Sequence, residues 1–127
     1  MRFVVDASVV VGYLLGDASA TERAAILGRA QAPSFLDVEV THSLRGLLRG
    51  AKIDEARADT ARAELLQLCL ARRVDATLLP RAWELRDVCT TYDALYVALA
   101  EALGATLVTR DARLARGVGM LVTVAVV

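Results

Sequence analysis

Hydrophobic and polar positions alternate along the chain in two periods, short apolar runs and longer helical arcs, and the two kinds of segment take turns. Arg2 to Val5 is a β-branched and aromatic run that predicts a first strand ending at Asp6. Ala7 to Leu15 mixes β-branched residues with leucine around Gly12 and is read as a helix. Ser19-Ala20-Thr21-Glu22 has the spacing of a capping box and opens a helix to about Ala30. Ala32 to Phe35, held out of helix around Pro33, is a candidate second strand. Ser34-Phe35-Leu36-Asp37 reads as another capping box. The helix after it carries Leu36, Val40, Leu44, Leu47 and Leu48 on one arc and stops at Gly50.

The second half continues the alternation. Asp54 is expected to cap a helix through roughly Leu70, with Ala61, Leu65, Leu68 and Cys69 inward. Val74 to Thr77 is a candidate third strand, and Pro80 sits in the first turn of a helix running to about Val88. Thr90 to Asp93 marks a helix start, and Ala94 to Leu103 is so uniformly apolar that the helix must be packed on several sides. Gly104 closes it, and Ala105 to Val108 suits a buried parallel strand that delivers Asp111 past its carboxyl end. A helical turn near Ala112 to Arg116 and a last strand from Leu121 to Val127 complete the chain. Strands alternating with helices predict an α/β fold with a central, mainly parallel sheet flanked by helices, and residues 1–127 are read as a single domain.

Composition narrows the reading. The formal net charge is zero, so no overall basic field advertises nucleic acid, although a local patch can serve. The hydrophobic share of 56% exceeds the usual ~45–50%, which points to surface buried against partner chains. Two cysteines, Cys69 and Cys89, make no disulfide framework, and a reducing cytoplasm is the simpler expectation. The N-terminal run imitates a signal peptide up to Ala18-Ser19-Ala20, but Asp6, Gly12, Gly16 and Asp17 interrupt it. No uncharged apolar run reaches the ~18 residues of a membrane span.

The chemistry concentrates in four acids. Asp6, Asp93 and Asp111 each also make sense as a helix cap worth about 1 kcal/mol. Glu39 lies a turn inside its helix, about 60° round from Leu36, and caps nothing. Asp6 and Asp111 follow strands, so in a parallel sheet both emerge at its carboxyl edge, where open α/β folds place their ligand crevice. Two unit charges ~5 Å apart at an effective dielectric of 20 repel by about 3 kcal/mol, so a cluster of carboxylates persists only with raised pKa values or a bound cation. All-oxygen ligation selects Mg²⁺ or Mn²⁺ over zinc. His42, three residues after Glu39, is the sole histidine; without a second Glu-x-x-His pair no di-iron site follows, and it reads as a helix-surface residue. Of fifteen basic residues only Lys52 is not arginine, and Arg110, Arg113 and Arg116 crowd around Asp111, either as a solvated face or as phosphate contacts. No aromatic pattern of the RNA-binding kind appears.

Three stretches, FVVDASVVVGYLL, LDVEVTHSLRGLLR and TYDALYVALAEALGATLVTRDARL, together resemble the PIN domain, and within it the VapC-type toxin ribonucleases of bacterial toxin–antitoxin pairs. The resemblance implies a three-layer α/β/α domain and hydrolysis of RNA phosphodiester bonds with Mg²⁺ or Mn²⁺. Carried over by position, it implies an acidic quartet of Asp6, Glu39, Asp93 and Asp111, with Ser8 and Thr109 as supporting hydroxyls. It further implies a VapB-like antitoxin and a homodimer in the cytoplasm. Two rival readings stand beside it. A phosphatase or receiver-like Mg²⁺ domain also places an aspartate after its first strand, but uses a second acid close by and a lysine on a later strand; here the neighbour is Ser8, and Lys52 falls between helices. A catalytically silent interaction module could use Trp83 and the helix from Ala7 to Leu15 as a groove for a partner's helix.

Overall fold

In the computed structural model, which describes residues 2–127, five parallel strands form one sheet in the order β3-β2-β1-β4-β5. These are β1 (Phe3–Val5), β2 (Gln31–Pro33), β3 (Ala71–Arg73), β4 (Thr106–Thr109) and β5 (Val124–Val126). The helices flanking the sheet are α1 (Ala7–Leu14), α2 (Ala20–Leu27), α3 (Leu36–Arg49), α4 (Glu55–Leu65), α5 (Leu79–Glu84), α6 (Thr91–Leu103) and α7 (Ala112–Val118). Chain order steps outward from β1 to β2 and β3 on one side, then to β4 and β5 on the other. The strand order therefore reverses at β1/β4, where Val5 lies opposite Val108. Asp6 follows β1 and Asp111 follows β4, so both leave the sheet at the same edge of that switch point.

The central helix is α6. Every residue from Ala94 to Ala100 is buried, and the helix touches β1, β2 and β4 while α5 packs along it. That accounts for its lack of a polar stripe. Thr90 caps its start by accepting the Asp93 N–H, and Gly104, at φ 60°, takes the left-handed turn that ends it. Val4, Val5, Leu107 and Val108 are fully buried, as strands covered on both faces require.

Several boundaries differ from the sequence expectation. Helix α3 has no Ser34 cap: Phe35 holds the cap position, and its N–H instead donates to Asp75 Oδ1 at 3.2 Å, a partner 40 residues away. The third strand is Ala71–Arg73 rather than Val74–Thr77, because Arg72 is pinned there by Asp37 and by the Leu65 and Leu68 carbonyls. Residues Asp75–Thr77 form a 3₁₀ turn instead. Helix α4 stops at Leu65, which leaves Cys69 exposed rather than inward, and the last strand is confined to Val124–Val126. Helix α5 ends at Glu84, and Trp83 on it is exposed, with Arg86 lying over its ring at 4.8 Å. Among the described residues no helix is long and apolar enough to cross a membrane.

Candidate active site

Asp6 is the best-held of the four acids. It is 8% exposed, and both of its oxygens are gripped by hydroxyls. Ser8 Oγ donates to Oδ1 at 2.6 Å, joined there by the Val9 N–H, while Thr109 Oγ1 donates to Oδ2. Each hydroxyl is oriented in turn by the loop after β4. The Arg110 N–H donates to Ser8 Oγ at 3.2 Å and the Asp111 N–H to Thr109 Oγ1 at 3.0 Å. Two parallel relays thus run from consecutive amides through a hydroxyl to one carboxylate. Lone pairs remain on Asp6 for a further partner, since a carboxylate accepts about four bonds. Burial pushes its carboxyl up, against the downward pull of these donors.

Glu39 projects from α3 and is half-buried. Its Oε1 accepts a 2.6 Å hydrogen bond from the hydroxyl of Tyr96, a residue only 1% exposed on α6. Burial raises the Glu39 carboxyl, and the charges of Asp93 and Asp6 raise it further. The Tyr96 phenol is itself driven upward, so it serves as a fixed donor at any working pH. Asp93 lies in the first turn of α6; burial raises its carboxyl, then the charge of Asp111, then that of Asp6. Asp111 is exposed and caps α7, accepting from the Arg113 and Leu114 N–H groups through Oδ1. A cleft of about 310 Å³ lies between Asp93 and Asp111, rimmed by Arg113 and Cys89. Burial and the Asp93 charge push the Cys89 thiol up, which makes it a poor nucleophile.

Asp6 and Asp111 therefore leave the sheet at one edge, and acidic charge converges there: on top of burial, Asp93 and Asp6 raise the Glu39 carboxyl, and Asp111 and Asp6 raise that of Asp93. The four acids are not drawn tight: among the described residues no three His, Cys, Asp or Glu side chains stand close enough to share an ion. Asp6 is engaged by its hydroxyls, Glu39 by Tyr96 and Asp111 by its helix start. None of the four pairs with a basic side chain among the described residues. Unpaired, mutually repelling carboxylate oxygens are a donor set suited to a hard divalent cation, and they leave a deficit of positive charge at this edge.

The three arginines separate. Arg110 turns away from the acids: its guanidinium holds Glu22 at 2.7 and 3.1 Å and reaches the carboxylate and carbonyl of Asp17. A Cβ on Gly12 would fall 2.2 Å from that guanidinium, so the glycine of α1 is what lets it pass. Arg110 is thereby occupied, against its reading as a phosphate contact, whereas Arg113 and Arg116 are exposed. Sequence reasoning missed Tyr96, hidden among the apolar residues of α6, and the Glu22–Arg110 pair, since nothing in the sequence links positions 88 apart.

A family model described as PIN domain matches residues 3–118. Among curated proteins, the chain is 40% identical over 118 residues to Ribonuclease VapC3 of Mycobacterium tuberculosis, covering 91% of this chain and 86% of that protein. It is 42% identical over 121 residues to Ribonuclease VapC1 of the same organism, covering 92% and 91%. It is 39% identical over 111 residues to VapC ribonuclease Mb0985 of Mycobacterium bovis, covering 87% of each.

Proposed function

The chain belongs to the PIN-domain family, and on that premise we propose that it is a metal-dependent endoribonuclease, the toxin of a type II toxin–antitoxin pair. Residues 1–127 are read as one such domain. The observation that carries the reading is that Asp6 and Asp111 leave the sheet at the β1/β4 switch point, that the Asp6 charge reaches Glu39 and Asp93, and that none of the four has a basic partner among the described residues. The ribonuclease names of its relatives agree with it. Asp6, Asp93 and Asp111 would hold Mg²⁺ or Mn²⁺ directly or through water, and such an ion supplies a water of lowered pKa and neutralises phosphate charge. Glu39, kept in place by Tyr96, completes the set or orients the attacking water. Ser8 and Thr109 fix the Asp6 oxygens. Arg113 and Arg116 offer guanidinium groups to phosphates beside the cleft. Attack by water leaves a 3′-hydroxyl and a 5′-phosphate.

A VapB-like antitoxin, a homodimer and a cytoplasmic setting complete the proposal. The test is cleavage of total RNA by the purified chain with Mg²⁺, with Mn²⁺ and with EDTA, beside Asp6→Asn and Asp93→Asn. Cleavage is expected with either ion alone, and neither variant should cut while both keep the fold. Full activity in either variant would remove the assignment. Folded wild-type protein inert under every condition would favour the catalytically silent module, to which exposed Trp83 lends some support.

A further inference from the structure

Beside the acids lies a feature the mechanism does not use. Phe35, at the carboxyl end of β2, and Tyr92, in the first turn of α6, stack with ring centroids 5.2 Å apart and planes 16° from parallel. Phe35 is partly buried and anchors the pair, while Tyr92 is 58% exposed. They border a cavity of about 420 Å³ with Val38 and His42, and Glu39 forms its inner wall. Positions 35, 38, 39 and 42 share one side of α3, so the helical repeat runs an apolar and aromatic wall directly into a site carboxylate. The amino-terminal ends of α3 and α6 both face this corner, which favours an anionic chain there. The stack on Phe35 fixes one face of the Tyr92 ring and leaves the rest of the ring open to solvent beside the cavity.

We infer that Phe35 and Tyr92 form a stacking platform for one unpaired base of the RNA, the base of a nucleotide flanking the bond to be cut. His42 at the rim offers ring nitrogens to the base edge. The inference rests on the nuclease reading. Stacking is tolerant of base identity, because every base presents a π-face, so the platform would set the position of the strand before it sets its sequence. Its contiguity with Glu39 distinguishes it from the apolar surface around Trp83, which touches none of the acids.

The test reads binding without cleavage, in the full chain carrying Asp6→Asn. The probe is a single-stranded RNA octamer with 2-aminopurine at each position in turn, and the same octamer with an abasic nucleotide there. Expected are quenching at one position, loss of that quenching with Tyr92→Ala, and an affinity weakened by roughly tenfold or more. Tyr92→Trp should restore both, and on the abasic octamer Tyr92→Ala should bind as its parent does. An equal loss on the abasic octamer would overturn the inference, as would unchanged RNA affinity with a fall in solution mass, which would make the pair a contact between copies. If the wild-type chain proves inert toward RNA with Mg²⁺ while the quenching pattern holds, the nuclease reading fails and the platform stands.

Discussion

Replacing Arg110 by methionine keeps the volume of the side-chain stem and removes only the guanidinium, which isolates what that group does. Glu22, 2% exposed, then loses its bonds at 2.7 and 3.1 Å and keeps only the Ser19 N–H at 2.8 Å. Burial pushes the Glu22 carboxyl up, and the hydrogen bonds from Arg110 and Ser19 outweigh that and hold it below the ordinary range. Breaking a buried pair by removing one partner costs about 3–5 kcal/mol. The low end applies, because Arg110 is itself 30% exposed and water can follow it out. A loss of about 3 kcal/mol corresponds to a fall of roughly 10 °C in Tm for a chain of this size. Urea unfolding followed by circular dichroism, with EDTA present, measures it. The double variant Arg110→Met, Glu22→Gln carries no stranded charge and keeps an oxygen for Ser19, so it should be more stable than Arg110→Met alone. A loss under 1 kcal/mol in the single variant, or a double variant less stable than the single, would refute the argument.

Three further outcomes follow from other contacts. Gly12→Ala should destabilise the wild-type chain by displacing the Arg110 guanidinium, yet stabilise the Arg110→Ala chain by up to ~1 kcal/mol, since alanine is the better helix former; the same sign in both backgrounds, read from urea midpoints, would contradict it. The Asp6, Glu39 and Asp93 carboxyls titrate above their ordinary values in the fold, so at neutral pH their charges weigh against the metal-free folded state, and the penalty fades as pH falls through those raised values. Asp93→Asn should accordingly stabilise the metal-free chain at pH 7.5 and give little gain at pH 4, and a gain independent of pH across paired urea titrations would rule that out. Tyr96→Phe removes a donor that lowers the Glu39 carboxyl. The acid limb of the pH–rate profile should then shift to higher pH, with a stability loss of about 1–3 kcal/mol; an unmoved limb would detach Glu39 from the rate.

What the chain revealed in advance follows from the range of the forces involved. Caps at Ser19, Asp54 and Thr90 and the stop at Gly104 depend on neighbours three or four residues away, so their spacing shows in the sequence. The uninterrupted apolar run of α6 announced its central position for the same reason. Where a distant group decides, the pattern misled. Ser34 has the look of a cap, but its own N–H donates to the Arg73 carbonyl and the Asp37 carboxylate of the expected box is held by Arg72, which also fixes a strand starting three residues before the β-branched Val74. Tyr96 reads as one more apolar position until Glu39 is seen beneath its hydroxyl.

Arg110 shows how far such a distant partner can redirect function. Standing next to Asp111 in sequence, it reads either as part of a solvated face or as a phosphate contact. The chain bends at Arg110 between β4 and α7, however, and while Asp111 lines the cleft the Arg110 guanidinium is directed to the α2 side. There it meets Glu22, a carboxylate already removed from water, which would be left as an uncompensated buried charge if the guanidinium turned to a phosphate. Its backbone stays with the site, donating to Ser8 and so to Asp6, while its charge holds α2 and the turn at Asp17 against the β4 loop. The site thus gains rigidity and gives up a cation. That leaves the carboxylate edge with still less positive charge of its own, which strengthens the case that an ion from solution must supply it before an RNA strand can approach.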